Sequence, residues 1–143
     1  MRTISFSLSA RILTFLFIVL SLFHAFIIIG MLFFEMAPMD YLWGGRMETR
    51  DQLLTFEIVS LIIQLLVLWL VRIRVVLQRS GSRRIWIRAL LWVMTLLFVL
   101  NTLGNLTAPS KMEKSAALLT LISAALTARL AREPWPGDQQ QAA

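Results

Sequence analysis

The sequence is poor in reactive and charged side chains, and each shortage excludes a class of chemistry. It has no cysteine, so it can form neither a disulfide nor a thiolate metal site. Its one histidine, His24, has no second imidazole or thiolate to join it as a metal ligand. No phosphate-binding glycine loop, nucleophilic serine motif or metalloprotease helix is present either. We therefore predict no cofactor and no metal.

Apolar residues are what the chain has in abundance. They make up 58% of its 143 residues, against 15% that are charged. A domain of this size leaves much of its surface in contact with solvent. Apolar side chains in this number could therefore not all be hidden from water inside a soluble core. The sequence therefore predicts an integral membrane protein with lipid as its main solvent.

Four apolar stretches approach or exceed the roughly 20 helical residues needed to cross a bilayer. We place these spans at about 12–34, 53–71, 85–106 and 113–130. The first is longer than the core of a signal peptide, so we expect it to be retained. The predicted fold class is an all-α membrane protein, an antiparallel bundle of four transmembrane helices in one domain over residues 1–132. Prolines, a glycine and a glutamine run predict a disordered cytoplasmic tail over residues 133–143.

The link between spans two and three, from Arg72 to Arg88, carries six arginines and no acidic residue. If the N-terminus is cytoplasmic, ten of the 14 Lys and Arg residues lie on the cytoplasmic side and four on the other. This bias predicts that both termini are cytoplasmic, in a bacterial inner membrane. The arginines of the link then meet anionic lipid head groups, and we predict no nucleic-acid partner.

Glu57 is an ionisable residue inside the second span, about one helical turn from its outer end. Such a group costs roughly 2.5 to 3.5 kcal/mol at mid-helix, so it needs a partner or a proton. Gln64 follows on the same helical face. On span three, Asn101 and Asn105 lie four residues apart at a similar height. Two helices are therefore expected to present polar faces to each other.

The loop between spans one and two offers a counter-charge for Glu57. Arg46 follows a glycine pair that can turn tightly, and Trp43 is an aromatic residue suited to the membrane interface. We predict a contact between Arg46 and Glu57, covered by Trp43 and flanked by Asn101 and Asn105. This cluster is either a static link between helix ends or a ligand or ion site, and the third alternative is that Arg46 and Glu57 do not meet.

His24 lies near the middle of span one, at the expected depth of Gln64. The first interpretation is a buried imidazole that is hydrogen-bonded across helices. The second is a proton relay that leads inward from Glu57, since histidine titrates near neutral pH. His24 and Glu57 are expected to lie at different heights, which makes such a relay weak. The candidate ligand-binding residues are Glu57, Asn101, Asn105, Arg46, Trp43, Gln64 and His24.

Three short motifs occur together in this chain. They are Trp43-Gly44-Gly45-Arg46, Phe56-Glu57 with Ser60, and Leu100-Asn101-Thr102 with Gly104-Asn105. With them the chain resembles a group of small, uncharacterised bacterial four-helix inner-membrane proteins. The resemblance covers roughly residues 23–128. It implies a four-helix membrane fold and brings no activity and no residue roles with it.

Three functional hypotheses remain open from the sequence. In the first, a polar cleft around Glu57 that opens outward binds or transports a small ligand or ion. In the second, the chain is a structural or accessory subunit of a larger membrane complex, and its polar cluster serves only stability. In the third, a lipid-modifying enzyme uses Glu57 or His24 as acid or base; this ranks last, because an enzyme needs a second convergent group. Self-association as a homodimer is compatible with the first.

Overall fold

The computed structural model describes residues 4–36, 38–39, 42–43, 46–108 and 111–136, without the side chain of Met112. Within that part, four long α-helices follow one another and no strand is formed. They are α1 (Phe6–Phe34), α2 (Arg50–Ser80), α3 (Ile85–Thr107) and α4 (Lys111–Arg132). Each contains a segment long and apolar enough to cross a membrane. The predicted all-α fold with four such helices is confirmed.

The ends of α2 show why this helix is longer than the predicted span. Thr49 caps its start, because its Oγ1 accepts a hydrogen bond from the Gln52 backbone N–H at 3.2 Å. No helix breaker follows until Gly81, which ends the helix with a left-handed φ of 67°. The helix therefore starts three residues before the predicted position 53 and runs nine residues past the predicted end at 71. Much of the arginine link, including Arg74, is helical.

The helices pack mainly in two pairs, α1 with α2 and α3 with α4, while α1 with α4 and α2 with α3 make smaller contacts. Each helix contributes a fully buried leucine to one shared core, namely Leu13, Leu70, Leu91 and Leu130. Helix α4 packs on α3, where the Thr102 and Thr120 hydroxyls are 2.8 Å apart. One core is therefore shared by all four helices.

The outer surface of the four helices is strongly apolar. Between 22% and 39% of the residues in each candidate span are buried, so most of the large hydrophobic side chains point outward. Examples are Phe15, Phe33, Ile62 and Leu96, each at least 58% exposed. A surface of this kind is unfavourable in water and is typical of helices that are surrounded by lipid.

Candidate functional site

Glu57 is the centre of a cluster between α1 and α2, which we call the acid cluster (His24, Trp43 and Glu57). Its side chain is 1% exposed. The indole N–H of Trp43 donates to Glu57 Oε1 at 2.8 Å, and His24 Nδ1 lies 2.5 Å from Glu57 Oε2. Both carboxylate oxygens thus have a partner, one from the link before α2 and one from the middle of α1.

The position of Trp43 is set by its neighbours in the link. Leu42 is buried against Met31 and Leu53, which anchors the link to the ends of α1 and α2. Trp43 itself has a left-handed backbone with φ of 52°, a conformation that is uncommon for a large side chain. Its ring packs on Phe56, with 5.1 Å between ring centroids. These contacts hold a strained residue in place, so that its N–H reaches the carboxylate of Glu57.

The His24 and Glu57 pair can hold and exchange a proton. Nδ1 and Oε2 are within hydrogen-bond distance at 2.5 Å, and which of the two donates depends on the imidazole tautomer and on the protonation of the carboxyl group. The indole N–H stabilises negative charge on the other oxygen of the carboxylate, and burial strengthens both hydrogen bonds. Over the described part of the chain, no three His, Asp or Glu side chains converge as metal ligands would. The chemistry that the cluster supports is therefore proton binding or the holding of a small ligand by hydrogen bonds.

The predicted contact between Arg46 and Glu57 is wrong. Arg46 is exposed, and its backbone N–H donates to the Trp43 carbonyl at 3.2 Å. The cation that does reach α1 is Arg50, whose Nη2 donates to the Met31 carbonyl. The reason is depth: because α2 begins at Arg50, Glu57 lies seven residues into the helix, about 10 Å along its axis. His24 is at that depth, so the expected difference in height between His24 and Glu57 is also wrong.

Asn101 and Asn105 do not flank the acid cluster. Asn101 is exposed and Asn105 is half-buried, and no described residue bonds either side-chain amide. The physical reason is that α3 packs chiefly against α4 and makes few contacts with α2. Thr102, which faces α4, is buried and bonded to Thr120, while Asn101 beside it remains on the surface.

Gln64 is buried two turns beyond Glu57 on α2, and its Oε1 has no hydrogen-bond partner among the described residues. Ser21, one turn before His24 on α1, is also buried, and its Oγ has no hydrogen-bond partner among the described residues. The polar face predicted for Glu57 and Gln64 is therefore present on the buried side of α2.

A second cluster, which the sequence reasoning missed, surrounds Arg74 near the end of α2. Arg74 is fully buried, and its guanidinium donates three hydrogen bonds: Nε to the Leu130 carbonyl at 3.2 Å, Nη2 to the Glu133 carbonyl at 2.7 Å, and Nη1 to Gln78 Oε1 at 2.5 Å. The guanidinium carbon lies 4.0 Å from the centroid of the Trp135 ring. We call Arg74, Arg88, Glu133 and Trp135 the arginine cluster.

The arginine cluster corrects the prediction of a disordered tail for residues 133–136. Trp135 is 1% exposed, and the Glu133 carbonyl accepts hydrogen bonds from both Arg74 and Arg88, the latter at 2.9 Å. A tryptophan in a tail next to a run of arginines is the signal that could have indicated this, because a guanidinium stacks favourably on an indole face. The rest of the predicted tail, residues 137–143, lies outside the described residues.

Comparisons with known protein families, with curated proteins and with solved structures find no match for this chain. The resemblance to small bacterial four-helix inner-membrane proteins stays a prediction, and Gly44 and Gly45 of its first motif lie outside the described residues. Any functional conclusion must therefore come from the geometry of the two clusters.

Proposed function

We propose that the chain is an integral protein of the bacterial inner membrane, with four antiparallel transmembrane helices and both termini in the cytoplasm. The proposal is supported by four apolar helices, by their apolar outer surface, and by the ten cationic residues expected on the cytoplasmic side against four outside. In this topology the acid cluster lies in the outer half of the membrane and the arginine cluster at its cytoplasmic face.

We propose further that the chain is a small binding or transport module whose functional site is the acid cluster and whose ligand is a proton. The observation that carries this is the buried carboxylate of Glu57, held by His24 at 2.5 Å and by Trp43 at 2.8 Å. Ionisable groups at membrane depth commonly mark proton paths. A lipid-modifying enzyme is less well supported, because His24 and Glu57 are engaged with each other and Glu57 is 1% exposed.

The net charge of the His24 and Glu57 pair depends on the number of protons that it holds. A neutral imidazole that donates its Nδ1–H to the carboxylate leaves the pair with a charge of −1. One further proton gives a neutral pair, as an imidazolium beside a carboxylate or as a neutral imidazole beside a carboxylic acid, and a second further proton gives a carboxylic acid beside an imidazolium, with a charge of +1. Either charge is unfavourable in a low-dielectric interior, so it favours a rearrangement that brings in water or a counter-ion. The strained link at Trp43 is the nearest element that could move.

The test is infrared difference spectroscopy of the purified full-length protein in lipid. The pH is stepped between about 5 and 8, the range in which histidine side chains ordinarily change charge. We expect a carboxylic acid band that appears on acidification and is missing in Glu57→Gln. The matched control is Glu48→Gln, an exposed carboxylate just before α2, which should retain the band. A spectrum without a pH-dependent band that depends on Glu57 would contradict proton binding and favour a static pair.

A second function, as an accessory subunit or self-associating protein, is supported by the surface of α3. Asn101 is exposed there, and a side chain placed on Gly104 would meet nothing within 4 Å. An amide that faces lipid is unfavourable, whereas amides and small residues are common where transmembrane helices meet. We then expect that the Asn101→Leu variant in native lipid no longer forms a cross-linked dimer or co-purifies with a partner. The control is Leu100→Ala, a change at an exposed neighbouring residue, which should retain the dimer or the partner. Equal recovery from both variants would argue against an interface at α3.

A further inference from the structure

The arginine cluster holds more positive charge than its described partners neutralise. Arg74 and Arg88 are bonded to the Glu133 carbonyl, and the Glu133 carboxylate accepts a bond from Arg129 Nη1. Arg132, one residue before Glu133, is exposed, and its guanidinium lies over the Trp92 ring. The cluster together with Arg129 and Arg132 has four guanidinium groups and one carboxylate, which is a formal charge of +3. Main-chain carbonyls satisfy hydrogen-bond donors, but they do not remove that charge.

Two N–H donors in this cluster are buried and unmet. Arg88 Nε and Trp135 Nε1 have no hydrogen-bond partner among the residues that the structure describes. They are neighbours, since the Arg88 guanidinium carbon lies 5.3 Å from the Trp135 ring centroid. Both groups can only donate, so each requires an acceptor oxygen. Arg88 as a whole is half-buried, so part of its side chain reaches the surface of the bundle, while the two unmet N–H groups themselves are enclosed. Unmet donors beside excess positive charge match an anionic oxygen ligand.

An apolar cleft lies on α4 near the residues that bond Glu133. It has a volume of about 230 Å³ and is lined by Ile4, Ala125 and Leu126, with Arg129 and Arg132 as its charged members. Arg129 Nε donates to the Ile4 carbonyl at 3.0 Å, which joins the start of the described chain to α4. Glu133 connects the cleft to the unmet donors, because its side chain is bonded to Arg129 and its carbonyl to Arg88. An apolar cleft with guanidinium groups at its edge suits an acyl chain that ends in a phosphate.

We propose that the arginine cluster and this cleft form a binding site for an anionic phospholipid of the cytoplasmic leaflet. The phosphate accepts hydrogen bonds from Arg88 Nε and Trp135 Nε1, Arg132 supplies further positive charge, and the first part of an acyl chain occupies the cleft beside Leu126. The membrane topology proposed above places the site at the level of the head groups. Residues 133–136 form part of the site, so that lipid binding also stabilises the packing of this segment on the bundle.

The test is native mass spectrometry of the full-length protein, titrated in detergent with phosphatidylglycerol or phosphatidylcholine of the same chain length. We expect the wild-type protein to retain phosphatidylglycerol preferentially. Arg88→Gln should weaken that binding by about fivefold, which is the contribution of roughly one cation near an anionic lipid surface. Trp135→Phe, which keeps the aromatic ring and removes only the N–H, should weaken it by a smaller factor. The matched control is Arg79→Gln on exposed Arg79, which should bind as the wild type does.

Three results would overturn the proposal. The first is equal retention of the two lipids by the wild-type protein, which needs no variant to fold. The second is an equal loss of binding in Arg79→Gln and Arg88→Gln, because that indicates diffuse attraction between charges. The third is complete displacement of the lipid by inorganic phosphate at the same concentration, because the ligand is then a free anion. None of these results bears on the acid cluster, whose infrared response in Arg88→Gln should remain that of the wild type.

Discussion

The acid cluster and the arginine cluster solve the same problem in different ways. Each buries a charged side chain from α2 beside a tryptophan that lies outside the four helices. Glu57 is satisfied by two side-chain partners, His24 and Trp43. Arg74 has more donors, and it is satisfied mainly by main-chain carbonyls that become available where α4 ends. A carboxylate can thus be held by two groups that titrate or move, whereas a buried guanidinium fixes a segment of backbone around itself.

The largest effect should come from the arginine cluster. Arg74→Met should lower the free energy of unfolding by about 3 kcal/mol, because it removes three hydrogen bonds and leaves the buried Leu130 carbonyl without its donor, while the Glu133 carbonyl keeps only Arg88. Unfolding by denaturant in mixed micelles would measure it. The control is Arg72→Met on the same helix, where the side chain is exposed and the change should be small. Equal effects of the two variants would mean that Arg74 does not hold the C-terminal segment.

A smaller loss is expected in the acid cluster. Glu57→Leu leaves the Trp43 N–H without its acceptor and His24 without its partner, so the free energy of unfolding should fall by about 2 kcal/mol. The same unfolding assay would measure the change. If leucine instead stabilises the bundle, the cluster does not contribute to folding, and a role in function becomes the remaining reason for a buried acid.

The smallest expected effects are those of replacing the tryptophan of each cluster by phenylalanine, and the two effects on stability should differ. Trp43→Phe removes an N–H that donates to Glu57, so the protein should lose about 1 kcal/mol of stability. Trp135→Phe removes an N–H without a described partner, so in detergent free of anionic lipid its effect should be near zero. Paired thermal unfolding curves would show the difference. A larger effect from Trp135→Phe would mean that its N–H is already satisfied and would remove one argument for the lipid site.

The four helices could be predicted from hydropathy because apolar length alone decides which segments can cross a bilayer. Glu57 could be identified in the same way, since a carboxylate in such a segment needs a partner. The identity of that partner could not be predicted, because it depends on how deep Glu57 lies, and that depth follows from the start of α2 at Arg50. The burial of Trp135 could not be predicted for a related reason. The composition of the segment around Trp135 indicates disorder, whereas the burial of the indole depends on the guanidinium of Arg74, which lies 61 positions earlier in the chain.

The central claim is that His24, rather than Arg46, is the partner of Glu57. A double-mutant cycle in lipid tests it directly, using Glu57→Gln with His24→Gln and, as the matched cycle, Glu57→Gln with Arg46→Gln. We predict a coupling of about 1 to 2 kcal/mol in the free energy of unfolding for the first pair and additive effects for the second. Coupling of Glu57 to Arg46, with additive effects of Glu57 and His24, would contradict the account.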